Sequence, residues 1–135
     1  MAAARDAGAT VDSYSVAGSF ELPAAVATLA ETGRYDAIVP VGCLIRGETP
    51  HFEVLARAIA AGLMELSLTY PVGIAFGVLT CDTAAQAKAR AGGRLGNKGA
   101  EAMNAALGMV ALRQAASSQR RTARRASTAA RRSTS

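Results

Sequence analysis

Residues 41–53 constrain the fold of this chain more than any other feature. They follow the apolar stretch 37–40, which predicts a buried strand, and they precede an alanine-rich segment with helical spacing. A glycine-flanked loop, a hydroxyl, an acid and the only histidine of the chain therefore lie at the carboxyl end of a strand, where open α/β sheets bind ligands. Residues 47–49 can offer backbone N–H groups to an anion. His51, on the first helical turn, can move protons near neutral pH.

Strand and helix patterns alternate along the chain up to about residue 114. Strands are predicted at 13–17, 37–41 and 72–79, helices at 24–31, 52–69, 83–91 and 99–114, and a glycine-broken loop at 92–98. Strands separated by helices favour a parallel sheet with right-handed crossovers. A chain of 135 residues has room for one domain with a moderate core. The sequence therefore predicts a single α/β domain.

The net charge of +5 is located in residues 115–135. Six arginines and no acid lie there, which leaves nine basic and ten acidic residues in the rest of the chain. The segment has no large apolar residue to pack, so it is predicted to be a disordered tail. Arginines without interleaved aromatic residues bind phosphates only non-specifically, and ends of this composition also arise simply as disordered tails. No nucleic-acid partner is therefore expected.

Composition also excludes several classes of protein. No run of eighteen apolar residues exists, so no membrane span is expected. The first residues lack the apolar region of a signal peptide. Cys43 and Cys81 make neither a disulfide framework nor a metal-ligand pattern, which favours a reducing cytoplasm. The cysteines therefore indicate no metal site.

Four motifs resemble, in order, those of the lumazine synthase family. They are Ile45-Arg46-Gly47-Glu48-Thr49-Pro50-His51-Phe52, Gly18-Ser19-Phe20-Glu21-Leu22-Pro23, Phe76-Gly77-Val78-Leu79-Thr80-Cys81-Asp82, and Arg90-Ala91-Gly92 with Asn97-Lys98-Gly99-Ala100-Glu101. The resemblance extends from about residue 7 to residue 114. It implies a three-layer α/β/α sandwich with a flavodoxin-like parallel sheet. The predicted domains are a lumazine synthase-like domain over 1–114 and the tail over 115–135.

Members of this family begin with a further strand, which is followed by an aromatic residue that stacks on the substrate ring. This sequence shows neither. The chain is therefore expected to be an N-terminally truncated member whose first strand is missing, or to carry a misplaced start codon.

The resemblance implies 6,7-dimethyl-8-ribityllumazine synthase activity, a transferase step of riboflavin biosynthesis. The reaction condenses 5-amino-6-(D-ribitylamino)uracil with 3,4-dihydroxy-2-butanone 4-phosphate and releases phosphate and water. Its steps require no metal and no redox cofactor, so the resemblance implies neither. The resemblance also implies a homopentamer, alone, stacked or built into a shell, with sites between subunits and a functional link to riboflavin synthase. The alternative is a truncated, catalytically impaired homologue that serves as a structural or shell subunit.

The resemblance also assigns roles to residues of this sequence. His51 is the expected general acid/base. Glu48, Thr49 and Arg90 are expected to hold the phosphate. The residues expected to contact the uracil and its ribityl chain are Ser19, Phe20, Glu21, Cys43, Leu44, Ile45 and Phe76. Lys98 is a further candidate near the site.

Several of these residues also have a purely structural interpretation. Thr49 fits an ordinary helix cap. Arg90 and Lys98 fit solvated cations at a helix end and in a loop. Phe20 and Phe76 fit core positions.

Overall fold

A computed structural model describes residues 1–133 of the chain. The helices are α1 (Ala2–Asp6), α2 (Leu22–Glu31), α3 (His51–Thr69), α4 (Ala84–Arg90) and α5 (Lys98–Ser133), and a 3-10 turn spans Ser19–Glu21. The strands are β1 (Ala37–Ile38), β2 (Val41–Ile45), β3 (Gly73–Ile74), β4 (Gly77–Cys81), β5 (Ala91–Gly93) and β6 (Gly96–Asn97). The predicted alternation of strands and helices is confirmed from α2 to the start of α5.

The strands β1 to β4 form two parallel pairs that share one register. Ala37 pairs with Gly73 and Ile45 pairs with Cys81, so both pairs keep the same offset of 36 residues. The interruption falls at Pro40, which has no N–H to donate. Its carbonyl oxygen still accepts a hydrogen bond from the N–H of Gly77 at 3.1 Å. These parallel pairs between helices confirm the predicted flavodoxin-like α/β fold.

One face of the strand pairs carries the main hydrophobic core, beneath α2 and α3. Aliphatic side chains make up its buried part. The buried members are Leu22, Val26, Ala30, Ile38, Ile59, Leu63, Val72 and Val78. Ile59, at 1% exposure, is the most completely enclosed large side chain among the described residues. This core fixes α3 on the strands, and with it the loop that precedes α3.

The opposite face is covered by α5, which approaches the strands very closely. Ala102 and Ala106 are its buried residues there. A Cβ atom at Gly73 would lie 2.5 Å from the carbonyl oxygen of Ala106, far inside a normal contact distance. The glycine of β3 and the alanines of α5 therefore replace a side-chain layer with direct backbone packing. With helices on both faces, the strands form the middle of three layers.

Two predictions about local structure are wrong. Residues 13–17 are not a strand: they make no backbone hydrogen bond to the rest of the described chain, and a strand exists only when a neighbour pairs with it. Side chains hold this segment instead, because the Tyr35 hydroxyl donates to Asp12 Oδ2 at 2.9 Å and lies 2.6 Å from the Tyr14 hydroxyl. Residues 92–98 contain an antiparallel pair, β5 with β6, rather than only a loop.

The predicted disorder of residues 115–135 also differs from the structure, which continues α5 as far as Ser133. The last two residues lie outside the described part. Alanine, arginine and glutamine are good helix formers, and cations near a helix C-terminus interact favourably with its dipole. A helix already nucleated on the strands can therefore continue without tertiary contacts. The composition showed that the segment cannot pack, but this did not determine its backbone conformation.

None of the helices α1 to α5 combines the length and the apolar character needed to cross a membrane.

Candidate active site

The carboxyl ends of β2 and β4 lie side by side because Ile45 pairs with Cys81. The N–H of Arg46 donates to the carbonyl oxygen of Cys81 at 2.9 Å. The hydrogen bonding between the two strands therefore continues one residue into the loop. Pro50 ends this loop with φ −65°, a value already suited to helix, and α3 begins at the next residue. The chain therefore turns from strand to helix over residues 46–50.

Glu48, Thr49 and His51 lie together on this turn, and all three are exposed. Their side chains form no hydrogen bond or ion pair within residues 1–133. The first turn of α3 has no side-chain cap, so Thr49 is not a capping residue here. The first N–H groups of a helix have no intrahelical acceptor. A hydroxyl, an imidazole and a set of open N–H donors therefore face solvent at one point, as an anion site with an adjacent proton carrier requires.

Arg46 ties this turn to its surroundings through three contacts. Its guanidinium forms ion pairs with Glu53, on the first turn of α3, and with Asp82, where Nε lies 2.7 Å from Oδ1. It also lies over the ring of Phe52, 4.6 Å from the centroid. The loop is thereby fastened both to α3 and to the segment that follows β4.

Arg46 is not among the site residues predicted from the sequence. A local signal exists, because an acid seven residues later falls on the first turn of the predicted helix. The contact with Asp82 has no local signal, since only the parallel register brings that residue beside the loop.

The turn Ser19–Glu21 lies next to β2. A Cβ atom at Gly42 would be only 3.1 Å from Ser19 Oγ, so the glycine allows this hydroxyl to approach the strand. Phe20 is 66% exposed, which excludes the core interpretation of this residue. Glu21 is exposed as well. The turn therefore presents a hydroxyl, a ring and a carboxylate on the β2 side.

Within β2, Cys43 and Ile45 are exposed and Leu44 packs against the core. Among the described residues, β2 pairs only with β4, so backbone groups along its other edge remain available for hydrogen bonding. Partial desolvation raises the pKa of the Cys43 thiol, and the nearby Cys81 thiol raises it further. Cys43 therefore remains a neutral thiol at pH 7 and not a nucleophilic thiolate. Within residues 1–133 no three His, Cys, Asp or Glu side chains cluster as a metal site requires.

A second group of predicted residues lies along β4. A shallow depression of about 240 Å³ is lined by the strand and its neighbours, namely Phe76, Gly77, Val78, Leu79, Thr80, Cys81, Arg90 and Lys98. Phe76 is 46% exposed and so is not a core residue. Lys98 pairs with Glu101 at 2.6 Å, and Arg90 donates to the carbonyl oxygen of Gln86 at 3.2 Å.

The predicted site residues thus fall into two groups within the chain. The first group surrounds β2 and the turn before α3, and includes His51. The second surrounds β4 and includes Arg90. No hydrogen bond or ion pair within residues 1–133 connects Arg90 or Lys98 with Glu48, Thr49 or His51. Within the described chain these two cations bond to neighbouring residues of their own segments instead, Arg90 to Gln86 and Lys98 to Glu101.

Comparison with known proteins identifies relatives of this chain. A relative from Gemmatimonas aurantiaca is 51% identical over 102 residues, which are 76% of this chain and 62% of the relative. A relative from Methylobacterium radiotolerans is 49% identical over 117 residues, covering 87% of this chain and 70% of the relative. One from Thermus thermophilus is 52% identical over 102 residues, covering 76% and 65%. All three are named 6,7-dimethyl-8-ribityllumazine synthase.

The chain thus spans between 62% and 70% of the length of these relatives. A sequence model of 6,7-dimethyl-8-ribityllumazine synthase matches residues 1–114. These matches confirm the resemblance carried by the four motifs. The chain belongs to the 6,7-dimethyl-8-ribityllumazine synthase family.

Proposed function

We propose that this chain catalyses the condensation of 5-amino-6-(D-ribitylamino)uracil with 3,4-dihydroxy-2-butanone 4-phosphate. The steps are imine formation, loss of phosphate, ring closure and dehydration. They require an anion site, a proton carrier and two substrates held close together, and proximity alone supplies several kcal/mol, up to roughly 7–11. The observation that carries the proposal is the turn before α3, which presents Glu48, Thr49 and His51 together at the carboxyl end of β2.

His51 is proposed to move protons during imine formation and phosphate loss. It is the first residue of α3, beside the N–H donors that suit a phosphate, and its ring is exposed to an incoming substrate. The phosphate is proposed to lie against the backbone of Glu48 and Thr49 and the Thr49 hydroxyl, with Arg90 as counter-charge. Arginine suits this role because its guanidinium can pair with phosphate through two hydrogen bonds.

The uracil and its ribityl chain are proposed to bind on the β2 side. The free backbone edge of β2 at Cys43, Leu44 and Ile45 offers donors and acceptors to the pyrimidinedione. The turn of Ser19, Phe20 and Glu21 lies beside it and offers groups that suit a polyol and an aromatic ring. Phe76 and Lys98 are proposed to contribute from the β4 side.

The two groups of residues are proposed to meet between adjacent subunits of a homopentamer. A ring with head-to-tail interfaces brings one surface of each subunit against a different surface of the next. The β2 group of one subunit would then face the β4 group of its neighbour. This arrangement accounts for the absence of a hydrogen bond or ion pair between Arg90 and the His51 turn within residues 1–133. The product would supply riboflavin synthase in the cytoplasm.

The direct test is turnover by the purified chain, followed through the absorbance of the lumazine product. Both substrates together should give product, and His51→Ala should lower turnover on the order of 10²-fold while the assembly stays intact. A well-assembled chain without turnover would instead favour the impaired structural homologue. An unchanged rate in His51→Ala would remove this histidine from the mechanism.

A further inference from the structure

The helix α5 leaves the folded body at Arg113. The guanidinium of Arg113 donates to the carbonyl oxygens of Tyr70 and Val72, at 3.2 and 3.5 Å, and so anchors the helix to the end of α3 and the start of β3. Every residue from Gln114 to Arg131 is exposed. The segment from Gln114 onward, here called the distal helix, therefore projects from the fold. It carries a net positive charge.

The helical conformation places the arginines of the distal helix on one face. With about 100° per residue and Arg120 as the origin, Arg124 lies at about 40° and Arg131 at about 20°. Arg121 and Arg125 form a second row at about 100° and 140°. By position, Arg132 continues that second row. All six arginines therefore occupy an arc of about 140°, with no acid anywhere on the distal helix.

The opposite face indicates what kind of partner fits. It carries Ala123, Ala126 and Ala130, and no large apolar or aromatic residue follows Leu112. Insertion into a lipid surface requires larger apolar side chains opposite the cations. Protein interfaces depend on buried aromatic or aliphatic anchors. Binding to a phosphodiester backbone needs neither, because counterion release by cations supplies its affinity.

The dimensions match a nucleic-acid duplex. Arg120 and Arg132 are separated by about 18 Å along the helix axis, a length over which B-form DNA carries roughly ten phosphates. A helix with its side chains is about 10–12 Å wide, close to the width of the major groove. Two rows of guanidinium groups on one face can then reach phosphates on both sides of the groove. We propose that the arginine face of the distal helix binds B-form duplex DNA through its phosphates, without reading the base sequence.

This proposal is independent of the catalytic proposal, since it uses no residue of the candidate site. It also changes the expectation from sequence, in which the tail was disordered and no nucleic-acid partner was expected.

The test measures binding of the full 135-residue chain to a fluorescent 20-base-pair DNA duplex by anisotropy, over a range of salt concentrations. Four to six phosphate contacts should give a slope of log K against log[salt] of roughly −4 to −5. The combined substitution R120Q/R121Q/R124Q/R125Q should lower affinity at least a hundredfold. It should also bring the slope to about −2 or closer to zero. Arg57→Gln removes one exposed cation from α3 and serves as the control, with unchanged binding.

A variant with the same net charge but differently placed arginines tests whether binding requires all of them on one face. The combined change A123R/R124A/R125A/A126R keeps the number of arginines but moves two of them to the alanine face. Circular dichroism should show the same helix content. The magnitude of the slope of log K against log[salt] should decrease by about 2. An unchanged slope and affinity would overturn the proposal, because any flexible polycation would then suffice. Binding to phosphatidylserine vesicles in preference to duplex DNA would overturn it as well.

Discussion

Replacing Arg46 with alanine should slow catalysis much more than it destabilises the fold. Its side chain is 45% exposed, and the side chains of its partners Glu53 and Asp82 are 40% and 61% exposed. Each ion pair therefore contributes only roughly 0.2–1 kcal/mol to stability. The contact with the ring of Phe52 adds about 0.5–1 kcal/mol at an exposed site. The free energy of unfolding should therefore fall by roughly 1–3 kcal/mol. A catalytic group displaced by about 1 Å, in contrast, can cost about 10²-fold in rate.

The assay compares kcat, KM for each substrate, and the midpoint of thermal unfolding. Arg46→Ala should lower kcat by roughly ten- to a hundredfold and lower the unfolding midpoint by roughly 3–15 °C. Arg34→Ala is the matched control: Arg34 also pairs with an acid, Asp12, at 3.9 Å and lies 5.6 Å from the ring centroid of Tyr35, but it is remote from the turn before α3. It should leave kcat unchanged. Equal kcat values for both variants would refute the positioning role of Arg46.

Three further substitutions or deletions test other parts of the account. Arg90→Ala should raise KM for the butanone phosphate on the order of tenfold or more and leave KM for the uracil unchanged, because only the butanone phosphate carries an anion. Equal increases in the two KM values, measured by separate titrations, would make Arg90 structural. Ile59→Ala should lower the free energy of unfolding by about 2–5 kcal/mol in urea titrations, since the side chain is only 1% exposed; a loss below about 1 kcal/mol would contradict the packing of α3. Deleting residues 115–135 should leave fold and turnover unchanged, shift the isoelectric point from basic to slightly acidic and abolish duplex binding; a loss of folding would show that the tail packs.

Hydrophobic spacing predicted most of the fold because the elements concerned are defined by local patterns. Leu55, Ile59 and Leu63 follow one another at helical spacing, and they define α3 without knowledge of any partner. The segment 13–17 has a strand-like composition, but its state depends on a neighbour that local sequence does not reveal. For the distal helix the prediction considered packing alone, whereas helix propensity and a nucleated N-terminal half decide its conformation.

The candidate site was predictable where motif residues are adjacent in sequence. The turn from Glu48 to His51 is short, so its side chains must lie together whatever the rest of the fold does. The role of Arg46 depends on Asp82, which reaches it only through the register of β2 and β4. No hydrogen bond or ion pair within residues 1–133 joins Arg90 to the turn of His51, which local sequence could not reveal either, and this is compatible with the proposed site between subunits.

Mixing two impaired variants, assayed at a butanone phosphate concentration well below the parent KM so that both are slow, tests this shared site most directly. His51→Ala and Arg90→Ala chains are unfolded together and refolded at equal ratio, so that subunits combine at random in each ring. If His51 of one subunit works with the Arg90 group of its neighbour, about a quarter of the interfaces hold both intact groups, and the mixture should recover about a quarter of the parent turnover. If both groups belong to the same subunit, every site carries one defect. Turnover no higher than the mean of the two separate variants would therefore contradict the account.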